Sequence, residues 1–258
     1  MACVVDLARP NILITGASSG LGAGMARIFA ERGHGLALTA RRTDRLDALK
    51  SELQTAHPGI KVVTASLDVN AHDRVFEVFR ACRDTLGGLD RVIVNAGLGK
   101  GARIGTGRFD ANRETAMTNF VAALAQCEAA MQIFYAANAG HLVVMSSVSA
   151  MRGMPSAITT YGATKAGVAA LTEGIRSDVI GKPIRVTTLF PGYIRSEMNE
   201  RVAHKIRFMI DTETGCRALV NAIEKEGAEY VIPPWPWKTL GFVMRHVPLK
   251  YVRKLIAS

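Results

Sequence analysis

The chain of 258 residues can form one large α/β domain or two small ones, and its composition, 48% hydrophobic and 21% charged, is that of a globular protein. Its formal net charge of +10 is spread over several short stretches, which favours scattered sites for anionic groups over a nucleic-acid-binding surface. The four cysteines and six histidines stand far apart, which predicts no metal site and is typical of a reducing compartment.

Short apolar runs alternate with longer amphipathic stretches along the chain. The runs predict strands at 11–16, 35–40, 61–67, 91–97, 141–147, 184–192 and 229–232. Helical stretches lie between them, and strands that are apolar throughout are typical of a parallel sheet covered on both faces. Because no long linker or repeat interrupts the alternation before residue 192, we expect a single doubly wound α/β domain spanning 1–258.

The first predicted strand runs directly into TGASSGLG, from Thr15 to Gly22. Glycines at 16, 20 and 22 permit a tight turn and a close approach to a pyrophosphate, and the following helix offers free N–H groups at its start. The same residues match the G-x-S-x-G nucleophile elbow of serine hydrolases around Ser18. An elbow serine needs several strands ahead of it, whereas only about fifteen residues precede this turn, so a dinucleotide site is favoured.

The second predicted strand ends in LALTARR. A dinucleotide without a 2′-phosphate is held by an Asp or Glu at such a strand end, but Ala40 stands here, followed by Arg41 and Arg42. Two guanidiniums favour a 2′-phosphate, and a helix N-terminus is otherwise a poor place for cations. The cofactor is therefore predicted to be NADP(H), with a further phosphate contact from Ser18 and with Asp68, after the third strand, near the adenine.

Tyr161 and Lys165, in YGATKAG, lie four positions apart, which on a helix places them on one face. Such a pair often arises by chance, so its chemistry has to support it. Reduction of a carbonyl needs a proton on oxygen as well as a hydride on carbon, and a phenol donates that proton more easily once its pKa, ordinarily about 10, is lowered. We expect the Lys165 ammonium to lower the pKa of Tyr161.

These motifs occur in an order that resembles the short-chain dehydrogenase/reductases. The resemblance covers about residues 11 to 198 and rests on TGASSGLG, NAG, MTNF, SSVSA, YGATK and PGYIRSEM. It implies a Rossmann domain with a mostly parallel seven-stranded sheet in the order 3-2-1-4-5-6-7, hydride transfer with a nicotinamide, and a catalytic tetrad of Asn119, Ser147, Tyr161 and Lys165. The gap between Ser147 and Tyr161 is one residue longer than is usual in that family, which leaves the neighbouring serines at 146 and 149 as alternatives.

The resemblance also implies individual roles. Ser147 would hold the substrate oxygen, Asn119 would relay protons to solvent, Lys165 would also bind the nicotinamide ribose, and Ser196 would face the nicotinamide carboxamide. The predicted cofactor contacts are Gly16, Ser18, Ser19, Gly20, Leu21, Gly22, Arg41, Arg42, Asp68, Val69, Asn95, Ala96, Gly97, Tyr161, Lys165, Pro191, Gly192, Ile194 and Ser196.

Substrate recognition is predicted to involve the segment after the fourth strand, the segment before Tyr161, and a loop region at 192–212. Apolar side chains in these segments indicate a hydrophobic substrate, although ordinary loop packing explains them nearly as well. They are Met151, Met154, Pro155, Ile158, Tyr193, Ile194 and Met198.

Residues 233–258 lie outside the resemblance and form a basic amphipathic tail with five Lys and Arg residues and no acid. We expect it to pack over the active site or a neighbouring subunit, and weak contact with an anionic membrane is the alternative. The N-terminus lacks the pattern of a signal peptide, and no window of about 20 uncharged apolar residues predicts a transmembrane helix. We therefore expect a cytoplasmic protein, peripheral at the membrane if the tail binds lipid.

The predicted function is an NADP(H)-dependent oxidoreductase that interconverts a ketone or aldehyde and a secondary alcohol on a small-molecule substrate, as a homodimer or homotetramer. A binding or sensing protein of the same fold without turnover is the alternative. Epimerisation or dehydration with the same cofactor usually needs a longer substrate region than this chain has.

Overall fold

The computed structural model describes residues 9–200 and 208–252. Seven strands form one sheet in the order β3-β2-β1-β4-β5-β6-β7, and every pairing is parallel. The strands are β1 (Asn11–Thr15), β2 (Gly35–Ala40), β3 (Val62–Ser66), β4 (Arg91–Val94), β5 (Gly140–Met145), β6 (Ile184–Pro191) and β7 (Glu229–Ile232). The predicted strand order is confirmed, and the sheet is wholly parallel where the resemblance implied a mostly parallel one.

Helices cover both faces of the sheet. They are α1 (Gly20–Glu31), α2 (Thr43–Ala56), α3 (His72–Leu86), α4 (Phe109–Ala116), α5 (Ala122–Ala137), α6 (Thr159–Asp178), α7 (Thr212–Glu224) and α8 (Pro234–His246). Alternate side chains of β1 enter opposite apolar layers: Ile12 and Ile14 pack with α1, α2 and α7, whereas Leu13 packs with α3 and α5. Because both faces are covered, the strands are apolar at nearly every position, which is the pattern that the sequence shows.

Two strands end earlier than the sequence predicts. The runs 91–97 and 141–147 leave the sheet after Val94 and Met145, so residues 95–97 and 146–147 form loops at its carboxyl edge. The strand order reverses between β1 and β4, and in open α/β sheets ligands bind at this point, beyond the carboxyl ends of the strands. This space is called the crevice below.

Helices α4 and α5 are joined by a π-helical turn, Met117–Val121, into one continuous helix, Phe109–Ala137. By length and composition this helix could cross a membrane, which the search for uncharged apolar windows did not detect. Half of its most apolar window is buried within the fold, where α5 packs against α3 and β5. Its apolar composition therefore fits the core helix of a globular domain.

A buried polar cluster lies at the amino ends of β4 and β5, opposite the crevice. The Arg91 guanidinium donates to His141 Nδ1 at 2.9 Å and to the Glu226 carboxylate at 3.2 Å, and Arg9 donates to Glu226 at 2.9 Å. His141 Nε2 lies 2.8 Å from Thr187 Oγ1. Burial and the nearby cations Arg91 and Arg9 hold the pKa of His141 well below its usual value, so the ring is neutral.

The described part of the tail packs beside the carboxyl edge of the sheet. Trp237 of α8 is buried against Gly192, where a Cβ would come within 2.2 Å of the indole Nε1. Gly241 likewise faces Met151. The tail, which was expected to pack over the active site or a neighbouring subunit, thus contacts Gly192 and Met151 of its own chain, while residues 253–258 of the tail and 201–207 of the predicted loop region lie outside the described residues.

Candidate active site

The glycine-rich turn connects β1 to α1 at the crevice. Gly16 has φ of +66°, which disfavours other residues, and a Cβ on Gly22 would lie 2.4 Å from the Gly16 carbonyl oxygen. Asn95 stabilises this turn, since its side-chain amide donates to the Thr15 carbonyl at 2.9 Å. Ser19 precedes α1 but makes no side-chain hydrogen bond to its first turn, so the backbone N–H groups there are available to an anion.

Arg42, at the end of β2, reaches back to this turn. Its guanidinium donates to Ser18 Oγ at 3.2 Å and to Ser19 Oγ at 2.6 Å. It also pairs with Glu197 from the loop after β6, which Arg45 contacts as well, at 2.5 Å. The sequence analysis missed Glu197 and Arg45, because 155 positions separate Glu197 from Arg42 and nothing local relates them.

Ser147 and Tyr161 meet at the carboxyl edge beside β5. Tyr161 lies in the first turn of α6, close enough to Ser147 for that hydroxyl group to affect its pKa. Ser147 also accepts a hydrogen bond from the Ser149 amide at 3.1 Å, which fixes the short helical turn after β5. The neighbouring Ser146 faces elsewhere, since its hydroxyl donates to the Lys165 carbonyl at 2.7 Å.

Lys165 is buried one helical turn beyond Tyr161. Its Nζ donates to the Met145 carbonyl, the last of β5, at 2.7 Å and lies 5.9 Å from the Tyr161 ring centroid. A Cβ on Gly97 would lie 3.6 Å from this Nζ and 3.2 Å from Asn119 Oδ1, so these groups share one corner of the crevice. Asn119, in the π-helical turn, holds both backbone polar groups of Leu98 at 2.7 and 2.8 Å.

The expectation that Lys165 lowers the pKa of Tyr161 is wrong for this structure. Burial raises the pKa of Tyr161, the hydrogen bond from Ser147 opposes that rise, and the nearby Tyr193 adds to it. Burial also lowers the pKa of Lys165 to about 8, because its ammonium is held among protein atoms. Tyr161 is therefore protonated near neutral pH.

The end of β6 supplies Pro191, and the loop after it supplies Gly192, Ile194 and Ser196. Ser196 faces the glycine-rich turn, where a Cβ on Gly20 would lie 3.4 Å from Ser196 Cβ. Ile194, predicted to contact both cofactor and substrate, instead belongs to the apolar core and packs on Gly215. Ile194 therefore supports the loop from beneath, and Trp237 covers Gly192 in the same way.

The remaining predicted contacts surround the crevice. Asp68 is exposed after β3 and accepts a hydrogen bond from the Asn70 amide at 3.0 Å, while Val69 is buried in the core. Leu21 packs on the apolar layer beneath α1. Arg41 is exposed at the end of β2. Of these four residues, Asp68 and Arg41 have accessible side chains.

Apolar side chains predicted to bind substrate lie around Tyr161. Met154 lies close to Gly162, where a Cβ would be 3.5 Å from its Cγ. Met198 is about half exposed and crosses above Gly99. Tyr193 stacks edge-on against Trp237 with ring centroids 5.3 Å apart, so the tail contacts one of these predicted substrate residues.

Residues 10–207 match the profile of the short chain dehydrogenase family. The chain belongs to this family. Membership makes the protein an oxidoreductase that uses a nicotinamide cofactor, and the free N–H groups at the start of α1 and the tight turn at Gly16 fit a dinucleotide.

This short chain dehydrogenase is 52% identical over 251 residues to an uncharacterized oxidoreductase of Mycobacterium tuberculosis (strain ATCC 25618 / H37Rv), covering 97% of the chain and 99% of the relative. The short-chain dehydrogenase from Sphingobium yanoikuyae, in complex with NADPH, is 25% identical with a TM-score of 0.80, over 93% of this chain and 96% of that one. The 3-oxoacyl-[acyl-carrier protein] reductase from Brucella melitensis, in complex with NAD, is 24% identical with a TM-score of 0.78, over 88% of this chain and 96% of that one. At this identity the likeness shows only that the two proteins share a fold.

Proposed function

We propose that this short chain dehydrogenase is an NADP(H)-dependent oxidoreductase that interconverts a ketone or aldehyde and the corresponding alcohol on a hydrophobic small molecule. The observation that carries the proposal is the buried Lys165 at the crevice, whose Nζ lies 5.9 Å from the Tyr161 ring centroid and shares one corner with Asn119. A nicotinamide dinucleotide, when bound, supplies or accepts the hydride and, when oxidised, adds a positive charge to the site.

The residues of the chain manage the proton. In the direction of reduction, the phenol of Tyr161 gives its proton to the carbonyl oxygen that receives the new charge, and Ser147 donates a hydrogen bond to the same oxygen. Because burial raises its pKa, the phenol of Tyr161 is protonated near neutral pH and carries the proton that the reduction consumes. Lys165 then stabilises the phenolate that forms, and Asn119 holds the adjacent backbone in place.

The preference for a 2′-phosphate is proposed from the end of β2. Ala40 is the last residue of that strand, and Arg42 directs its guanidinium toward the two serines of the glycine-rich turn. Planar guanidinium donors match phosphate oxygens in pairs. Arg41, exposed beside it, adds a second cation.

The decisive experiment is a panel of carbonyls and alcohols followed by the absorbance of NADPH and NADH. We expect turnover of lipophilic ketones, with NADPH preferred. Faster turnover of small polar sugars would contradict the hydrophobic substrate. Tight binding of NADPH without turnover across the whole panel would favour a sensing protein, and equal use of NADH would contradict the cofactor preference.

A homodimer is proposed from the exposed face of the continuous helix. Phe109, Met117, Leu124 and Tyr135 are all between 39% and 72% exposed along this one element. Light scattering after gel filtration should give at least twice the mass of the chain. Leu124→Glu should reduce that mass, and a wild-type monomer would contradict the proposal.

Weak contact with an anionic membrane is proposed for the outer face of α8. Trp235 and Phe242 are 73% and 68% exposed, and Lys238 and Arg245 are exposed beside them. The protein should float with vesicles rich in phosphatidylserine, and a variant with Trp235→Ser and Phe242→Ser should not. Equal flotation of both proteins, or none of either, would contradict this contact and leave a protein free in the cytoplasm.

A further inference from the structure

The loop after β6 crosses the crevice from one side to the other. Ser196 lies over the glycine-rich turn after β1, at Gly20, and Met198 lies over Gly99 in the segment after β4, where a Cβ would be 2.7 Å from its Cγ. The Asn199 side chain closes the loop, since its Oδ1 accepts from the Ser196 amide at 3.0 Å and its Nδ2 donates to the Ile194 carbonyl at 2.8 Å. This compact turn presents Glu197 toward the end of β2.

Glu197 engages the cations proposed to hold the cofactor phosphate. Its Oε2 accepts from Arg42 Nη2 at 3.0 Å, and its Oε1 accepts from Arg42 Nη1 at 3.3 Å and from Arg45 Nη1 at 2.5 Å. Hydrogen bonds from Arg42, Arg45 and Ser19 hold the pKa of Glu197 at about 2, so the carboxylate is charged across the whole neutral range.

Four of the five N–H donors of Arg42 already have partners. Nε donates to Ser18, Nη1 to Glu197, and Nη2 to Ser19 and Glu197. A phosphate placed between these serines and Arg42 needs the same N–H groups, and its negative charge repels the carboxylate. Phosphate and carboxylate are thus alternative partners of one guanidinium.

We propose that Glu197 competes with the cofactor 2′-phosphate for Arg42 and Arg45, and thereby determines how strongly the protein discriminates NADP(H) from NAD(H). The inference rests on the proposed preference for NADP(H). A dinucleotide without the phosphate leaves the ion pairs of Glu197 in place, whereas one with the phosphate has to displace them. The carboxylate therefore weakens the binding of NADP(H) and leaves that of NAD(H) unchanged.

The ion pairs are partly exposed, with side-chain accessibilities of 41% for Arg42, 46% for Glu197 and 47% for Arg45, so each contributes little. We expect Glu197→Gln to tighten the binding of a 2′-phosphate ligand by about fivefold. The substitution removes two weak ion pairs that the phosphate would have to displace, and it also removes the repulsion between carboxylate and phosphate. Glu200→Gln is the matched control, because it removes the same charge from the same loop.

The test is calorimetric titration of the wild-type protein and both variants with 2′-phospho-ADP-ribose and with ADP-ribose, which lack the nicotinamide and so report on this end alone. The proposal is supported if Glu197→Gln raises the affinity for 2′-phospho-ADP-ribose without raising that for ADP-ribose, and if Glu200→Gln changes neither affinity. Thermal melting checks that all three proteins are folded.

The outcomes separate this inference from the proposed function. If the wild-type protein prefers the phosphorylated ligand and Glu197→Gln changes nothing, or Glu200→Gln has the same effect, the competition is refuted while the NADP(H) preference stands. If the wild-type protein shows no preference and Glu197→Gln creates one, the competition is supported and the native preference is refuted. If neither protein shows a preference, both ideas fail.

Discussion

Replacement of Arg42 by glutamine tests the cofactor preference directly. The guanidinium contacts Ser18 at 3.2 Å and Ser19 at 2.6 Å, and we expect it to donate to the 2′-phosphate in the bound state. A hydrogen bond to a charged group contributes about 1.5–3 kcal/mol, and the lower end applies because the Arg42 side chain is 41% exposed. About 0.5 kcal/mol of this binding energy is regained, because the phosphate no longer has to displace an ion pair between residue 42 and Glu197.

The net loss of about 1 kcal/mol corresponds to roughly a fivefold weaker affinity for NADPH. Fluorescence titration with NADPH and NADH should show this loss for NADPH, and a change of less than about twofold for NADH, because the rest of the dinucleotide site is intact. Arg80→Gln, on the exposed surface of α3, is the charge-matched control. An equal loss for both cofactors, or no loss for NADPH, would refute the assignment of Arg42 to the phosphate.

Two further substitutions test other parts of the structure. Ser147→Ala should lower kcat by about a hundredfold with NADPH affinity retained, because one hydrogen-bond donor to the reacting oxygen is lost. Ser149→Ala should keep most of the activity. If rate assays show the larger loss for Ser149→Ala, the catalytic role belongs to Ser149. His141 is neutral in the folded protein because its pKa is well below the usual 6.5. In the unfolded chain the same ring binds a proton below about pH 6.5. The free energy of unfolding should therefore fall as the pH falls from 7 to 5. Denaturant titrations of His141→Gln should show a shallower fall than those of the wild type, and an equal or steeper one would contradict this account.

Much of the fold could be predicted from the sequence because its signals are local. Strands that are apolar at nearly every position and alternate with amphipathic helices leave few arrangements other than a covered parallel sheet. The turn at Gly16 and the four-residue spacing of Tyr161 and Lys165 are likewise local, so the structure places those residues at the crevice as expected. The strand ends at Val94 and Met145 were missed, although the residues that follow, Asn95 to Gly97 and the two serines at 146 and 147, include types that are typical of turns.

Features that depend on tertiary contacts could not be predicted. Burial by surrounding segments raises the pKa of Tyr161, and the Nζ of Lys165, which was expected to lower it, is held by the Met145 carbonyl. Ile194 has the apolar character of a pocket residue but packs on Gly215 beneath the loop. Glu197 carries one charge in a loop, and only the folded chain shows that it faces Arg42.

The central claim is that Tyr161 gives the proton in carbonyl reduction, and Tyr161→Phe tests it most directly. The substitution removes one hydroxyl, so NADPH affinity should stay within about twofold of wild type, while single-turnover reduction of the best carbonyl substrate should slow by roughly a thousandfold, as loss of a general acid does. Reduction at more than about a tenth of the wild-type rate, with NADPH still bound, would contradict the claim.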